Sequence, residues 1–256
     1  MGSIFSKSAK SRHNDQERLV AVIPARYRSS RYPGKPLVRL LGKPMILWVA
    51  EVAADVLGRE HVYVATESEE IFSVVLAAGY QALMTDDSCL TGTDRVWQAA
   101  AQIDAQIILN IQGDEPFIKK KSMSDLIKVF NDPQVNMASL MTKFKSLDEL
   151  NNPNNVKVIV DNNSNAIYFS RLPIPYASKN INDYNRHIGI YAFLKESLIE
   201  FSNLKRSKLE IIENLEGIRV VENSKTIRMV NTDSPGISID TPEDLIEAKK
   251  YILSND

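Results

Sequence analysis

Leu19-Val20-Ala21-Val22-Ile23-Pro24 is an uninterrupted apolar run, followed at once by Ala25-Arg26-Tyr27-Arg28-Ser29-Ser30-Arg31-Tyr32-Pro33-Gly34-Lys35-Pro36-Leu37. An apolar run without alternation reads as a β-strand buried on both faces, as at the centre of a parallel sheet. Toward the C-terminus the pattern alternates. Residues 46–57 read as a helix, 61–65 as a strand and 69–78 as a helix closed by Gly79. Gln81–Met84 is a short strand, 93–103 a helix and 106–111 another buried strand. This alternation predicts an α/β fold with a mostly parallel mixed sheet and helices on both faces. Beyond residue 135 the order loosens. Strands are expected over 135–143, 156–161, 166–170 and 187–193, and helices over 196–203 and 209–216. Two more strands (218–222, 226–230) and a closing helix Pro242–Leu253, capped by Thr241, complete the chain. The simplest organisation is a disordered leader over 1–17 and one domain over 18–256, with a strand-rich lobe inserted at about 135–220.

Bulk properties exclude several function classes. With 44% hydrophobic and 25% charged residues the 256-residue chain is ordinary globular material. A net charge of −1 leaves no generally basic surface for nucleic acid, although a local phosphate site is compatible with it. One cysteine, Cys89, excludes an internal disulfide and fits a reducing compartment. No uncharged apolar run reaches the roughly 18 residues that span a bilayer, so a cytoplasmic location without membrane insertion is expected. Met1-Gly2 with Ser6 nominally matches a myristoylation pattern, but a plain polar tail accounts for it as well.

Four motifs carry chemistry. The loop after the first strand holds four cations in ten residues, Arg26, Arg28, Arg31 and Lys35, with the Ser29 and Ser30 hydroxyls and Gly34. It leaves the carboxyl end of a strand, where open α/β sheets bind ligands, and its charge suits a triphosphate. It lacks the first Gly and the Ser/Thr of a Walker loop, and an exposed basic loop would read alike. Gln112-Gly113-Asp114-Glu115-Pro116 places an acid just past a buried strand, a fitting position for Mg²⁺, which takes one or two carboxylates plus phosphates. Asp240, before the last helix, is either a capping residue or a second such acid. Thr91-Gly92-Thr93-Asp94-Arg95 is either a helix entrance or a set of groups around a base and ribose. No nucleophile–base pair stands out, which favours a substrate hydroxyl as nucleophile.

These motifs, in this order, resemble the 3-deoxy-manno-octulosonate (Kdo) cytidylyltransferases over residues 19–253, nearly the whole chain beyond the leader. PARYRSSRYPGKPL, GTDR, NIQGDEP, NPNNVKV, YFSRLPIPY, HIGIYAF and DTPEDL carry the resemblance. It implies a Rossmann-like nucleotidyltransferase fold, usually dimeric, that joins CMP from CTP to Kdo with release of pyrophosphate, for lipopolysaccharide or capsule synthesis. By the same resemblance Arg26, Ser29, Arg31 and Lys35 hold the CTP phosphates, with Arg31 shared with the sugar. Thr91, Arg95 and Gln112 surround the cytidine, and Asp114 and Asp240 hold Mg²⁺. Arg171, His187, Tyr191, Glu210 and Glu213 face the sugar acid, and Arg26, Lys35, Asp114 and Asp240 carry the catalysis. The chain departs from the family pattern in reading Leu215-Glu216-Gly217-Ile218-Arg219 where Leu-Glu-Gln-Leu-Arg is usual. A missing amide near the sugar, at about 1–3 kcal/mol for an unpaired buried group, would shift preference toward another 2-keto-3-deoxy acid such as 8-amino-Kdo or a nonulosonate. Rival readings are a nucleotide-binding protein without catalysis and a glycosyltransferase.

Overall fold

The computed structural model describes residues 19–28, 32–176, 180–233, 236, 238, 239 and 241–253, without the side chains of Pro242 and Tyr251. The expected leader and three of the expected site residues, Ser29, Arg31 and Asp240, lie outside the described residues.

The first half runs β1 (Leu19–Ala25), a small hairpin of β2 (Arg39–Leu40) and β3 (Lys43–Pro44), α1 (Met45–Leu57), β4 (Val62–Thr66), α2 (Glu69–Ala77), β5 (Gln81–Met84), α3 (Gly92–Ala100) and β6 (Ile107–Asn110). Then come α4 (Lys120–Lys128), β7 (Met137–Lys143), α5 (Leu147–Asn151), β8 (Lys157–Val160), β9 (Ala166–Ser170) and β10 (Asn185–Leu194). The chain closes with α6 (Lys195–Asn203), α7 (Lys208–Glu213), α8 (Gly217–Glu222), β11 (Arg228–Asn231) and α9 (Pro242–Leu253).

Among the described residues the main sheet has the order β11-β7-β10-β6-β1-β4-β5. β1 pairs in parallel with both β4 and β6, and β4 with β5. β10 enters antiparallel between β6 and β7, and the β8–β9 ribbon hangs from its start. β7 and β10, which the sequence places in an inserted lobe, are thus continuous with the main sheet.

All seven residues of β1 are buried, and its alternation sorts them to two cores. Ala21 and Ile23 face α1 and α4, packing with Ile46, Val49, Met123 and Leu126. Val20 and Val22 face α3 and α6, packing with Val96, Ala99, Leu198 and Phe201. Each fully buried Val, Leu or Ile side chain here contributes about 1.5–3 kcal/mol. Helices on both faces force this apolar composition, and the same arrangement fixes the carboxyl ends of β1 and β6 beside each other.

Two expectations fail locally. Residues 218–222 form most of helix α8, not a strand: Ile218 and Val220 join the second core while Arg219 turns to Glu210. Tertiary packing overrides the β-propensity of Ile-Arg-Val-Val. Helix α4 was not expected, because Lys119-Lys120-Lys121 masks its apolar face of Met123 and Leu126. Among the described residues no helix is long and apolar enough to cross a membrane.

Candidate active site

One cavity of about 910 Å³ opens at the carboxyl ends of β1 and β6 and extends along β10. Its volume is near the top of the roughly 300–1,000 Å³ range of small-molecule sites, enough for two substrates side by side.

At one end stand Lys35 and Asp114. The Lys35 ammonium donates to Asp114 Oδ2 at 2.7 Å, with side chains 14% and 28% exposed. Asp114 reaches this position because the turn after β6 runs tight against the end of β1. A Cβ on Gly113 would sit 2.9 Å from the Pro24 carbonyl oxygen, closer than side chains tolerate, so only glycine permits the approach. The Asp114 carbonyl accepts from Ile239 N–H at 2.9 Å, which brings the segment before α9 to the same turn. Arg26 crosses the cavity rim and donates to the carbonyls of Cys89 and Leu90 at 2.9 and 3.0 Å. Thr91 is the N-cap of α3: its hydroxyl accepts from Asp94 N–H at 3.1 Å, and Asp94 reciprocates. Gln112 donates to Asn110 Oδ1 at 3.2 Å, and its side chain lines the cavity with Thr91 and Gly92.

Arg95 lies beneath this end. It is 1% exposed, its guanidinium 3.0 Å from Glu67 and donating to the Thr85 hydroxyl. The contact with Glu67 is a charge pair that lacks hydrogen-bond alignment.

The other end is a wall of β10 and the connection between α7 and α8. His187 Nε2 lies 2.9 Å from Ser139 Oγ, and Ser139 is also 2.8 Å from the Ile190 carbonyl. Ser139 Oγ also lies 3.2 Å from the Ile188 carbonyl; with its proton on either carbonyl, His187 would donate from Nε2 and keep Nδ1 as an acceptor. Burial pushes the His187 pKa down to about 3, so the ring is neutral at ordinary pH. Tyr191 packs 5.4 Å from it, centroid to centroid, and burial raises its phenol, which stays protonated.

Two residues absent from the sequence-derived set line this wall. Glu216 accepts from the Thr93 hydroxyl; burial raises its pKa, against hydrogen bonds from Thr93 and Thr91 that lower it. Arg186 is half-buried and lines the cavity, its side chain without an ion pair or hydrogen bond to a described residue. Burial lowers its pKa, with Glu149 and Glu115 acting the other way. Only the Leu215-Glu216 fragment hinted at the first; Arg186 had no signal beyond its place before His187.

Three residues expected at the sugar are engaged elsewhere. Arg171 donates to the carbonyls of Glu213, Pro153 and Asn214, and Glu213 accepts from Arg171 N–H and from Ser170; neither lines the cavity. Glu210 touches the cavity but is 1% exposed and held by Arg219 at 2.8 and 2.5 Å. Gly217 does not line the cavity either: a Cβ there would meet Phe169 at 2.9 Å. A side chain at this position would leave the backbone toward Phe169.

Both sequence and fold are similar to known proteins. The family model described as cytidylyltransferase matches residues 20–227. The 3-deoxy-manno-octulosonate cytidylyltransferase of Christiangramia forsetii is 43% identical over 243 residues, 93% of this chain and 98% of the relative. That of Flavobacterium johnsoniae is 44% identical over 240 residues, 92% and 98%. A solved structure of CMP:2-keto-3-deoxy-manno-octonic acid synthetase complexed with CTP superposes with a TM-score of 0.88 at 38% identity, covering 93% of this chain and all of that one. The chain belongs to the cytidylyltransferase family, among the 3-deoxy-manno-octulosonate cytidylyltransferases.

Proposed function

We propose that the protein transfers CMP from CTP to the anomeric hydroxyl of Kdo, releasing pyrophosphate. The observation that carries this reading is a single cavity with the Lys35–Asp114 pair at one end and the Arg186–His187–Tyr191 wall at the other. The names of the relatives and the CTP complex of the similar structure support it. Nucleotide phosphates fall to Arg26, Lys35, Ser29 and Arg31, and cytidine to the Thr91 and Gln112 region. On nucleotide binding the Lys35 ammonium transfers from Asp114 to the phosphates, where it neutralises charge developing on the leaving pyrophosphate. The two ends of the cavity hold the sugar hydroxyl near the α-phosphorus, so positioning supplies much of the rate.

Mg²⁺ fits the donor set. The partly exposed Asp114 carboxylate beside a phosphate site suits a hard cation that takes one or two carboxylates plus substrate phosphates. Asp114 and Asp240 would hold it, and it would neutralise phosphate charge and acidify the attacking hydroxyl.

The sugar acid's carboxylate is assigned to Arg186, and one of its hydroxyls to His187 Nδ1. Arg186→Gln should raise the KM for Kdo by roughly 10- to 100-fold, the effect of losing a charge-assisted hydrogen bond, with the KM for CTP unchanged. Steady-state kinetics in each substrate reads this; an unchanged KM for Kdo contradicts the assignment. Leu172, Ile211 and Ile212 are exposed on α7 and the loop that Arg171 ties to it, and we assign a homodimer contact to them. A sedimentation mass of one 28.8 kDa chain would contradict that.

A further inference from the structure

The cationic loop after β1 is fastened from outside. Glu67, one residue past β4, accepts from Tyr27 N–H through Oε1 at 2.8 Å. Its Oε2 faces Arg95 Nη2 at 3.0 Å, and the two side chains are only 9% and 2% exposed. Arg95, on α3, donates its other terminal nitrogen to the Thr85 hydroxyl. Tyr27 in turn accepts, through its carbonyl, from Gly34 N–H at 2.8 Å, and Gly34 directly precedes Lys35. A continuous line of contacts thus runs from the Arg95 guanidinium through the Glu67 carboxylate and the Tyr27 backbone to the residue before Lys35. Arg26, on the other side of Tyr27, is braced separately on the carbonyls of Cys89 and Leu90.

A carboxylate so close to a phosphate site is costly unless its charge is met. Arg95 meets it, which leaves Glu67 free to act through its geometry and not through its field. Side-chain length then matters, since the acceptor must reach the Tyr27 amide while still facing Arg95.

We propose that Glu67, oriented by Arg95, is a positioning residue for the nucleotide: it fixes the Tyr27 peptide and so sets the spacing between Arg26 and Lys35. It touches neither substrate. The proposal rests on the reading that this end of the cavity binds CTP.

Three variants test it: Glu67→Gln, which keeps an acceptor of the same reach, Glu67→Asp, which keeps the charge but is one carbon shorter, and Glu67→Ala. Each is compared with the wild type by calorimetric titration with CTP and by the KM for Kdo, after its fold is verified by circular dichroism. The Ala and Asp variants should bind CTP roughly 10-fold or more weakly, as for loss of a hydrogen bond to a charged acceptor. Gln, which keeps the acceptor for the Tyr27 amide but leaves the Arg95 charge unmet, should bind CTP more tightly than Ala and Asp and more weakly than the wild type, with the KM for Kdo unmoved in all three. CTP affinity equal to wild type in the Asp variant overturns the proposal, as does equal weakening of both substrates. Should the Ala variant fail to fold, the Gln and Asp pair decides alone. Absence of CTP binding by the wild type would instead overturn the underlying nucleotide reading.

Discussion

Asp114→Asn is expected to reduce pyrophosphate release by roughly 10³-fold or more, the scale for losing the metal ligand that the proposed function makes of Asp114, since such an ion would supply several kcal/mol of charge stabilisation. The substitution changes one oxygen to an amide at the same volume, on a side chain that is partly exposed. The backbone contacts that fix the turn, with Ile239 and through Gly113 with Pro24, do not involve the carboxylate. The melting temperature should therefore stay close to wild type. Loss of turnover in a folded variant places the charge of Asp114 in the reaction; near-normal turnover would remove it.

Arg219→Ala has the largest expected effect on stability. Arg219 is 2% exposed, stacks over Phe201 at 4.6 Å and donates twice to Glu210, which Arg206 and the Ser207 amide also contact. Without Arg219 only the single, longer Arg206 contact at 3.3 Å is left to meet the Glu210 charge, and removing one partner of a buried pair costs about 3–5 kcal/mol. For a chain of this size that is a fall in Tm of roughly 6–20 °C. Burial pushes the Glu210 pKa up, but the Arg219 hydrogen bonds and charge outweigh it, so the net shift is downward. A depressed carboxyl contributes stability above its unfolded pKa, near 4.3, and loses it as pH falls through the folded value. The gap between wild type and variant should thus narrow in acid. Thermal unfolding across pH 3–7 measures it, and a constant gap or a Tm within about 2 °C at pH 7 contradicts the pair's structural role.

These effects show what was legible before the fold was known. The strand Leu19–Ala25, the parallel sheet around it and the loop with Arg26 and Lys35 follow from period and composition, because burial on both faces leaves no polar positions. The proximity of Lys35 and Asp114, 79 residues apart, does not; it depends on β1 and β6 being neighbours, which spacing alone leaves open. Charge is visible in a sequence, but what consumes it is not. Glu210, Glu213 and Arg171 were expected at the sugar, yet Glu210 pairs with Arg219, and Arg171 and Glu213 hold each other. Arg186, to which the proposed function gives the sugar carboxylate, is hidden for a different reason: it and His187 are successive residues in regular register with Thr142 and Met141, so simple alternation puts them on opposite faces, yet both line one cavity. The family resemblance supplied the reaction, and the structure shows the intramolecular partners that Arg171, Glu210 and Glu213 hold in it.

The central claim is that one cavity joins a nucleotide to a sugar acid. Pyrophosphate release should therefore be measured with CTP and Mg²⁺, with Kdo, 8-amino-Kdo or N-acetylneuraminate added singly. Release that requires both CTP and an acid, and is fastest with Kdo, is the predicted result. Release without any acid, or none with all three, would contradict the account.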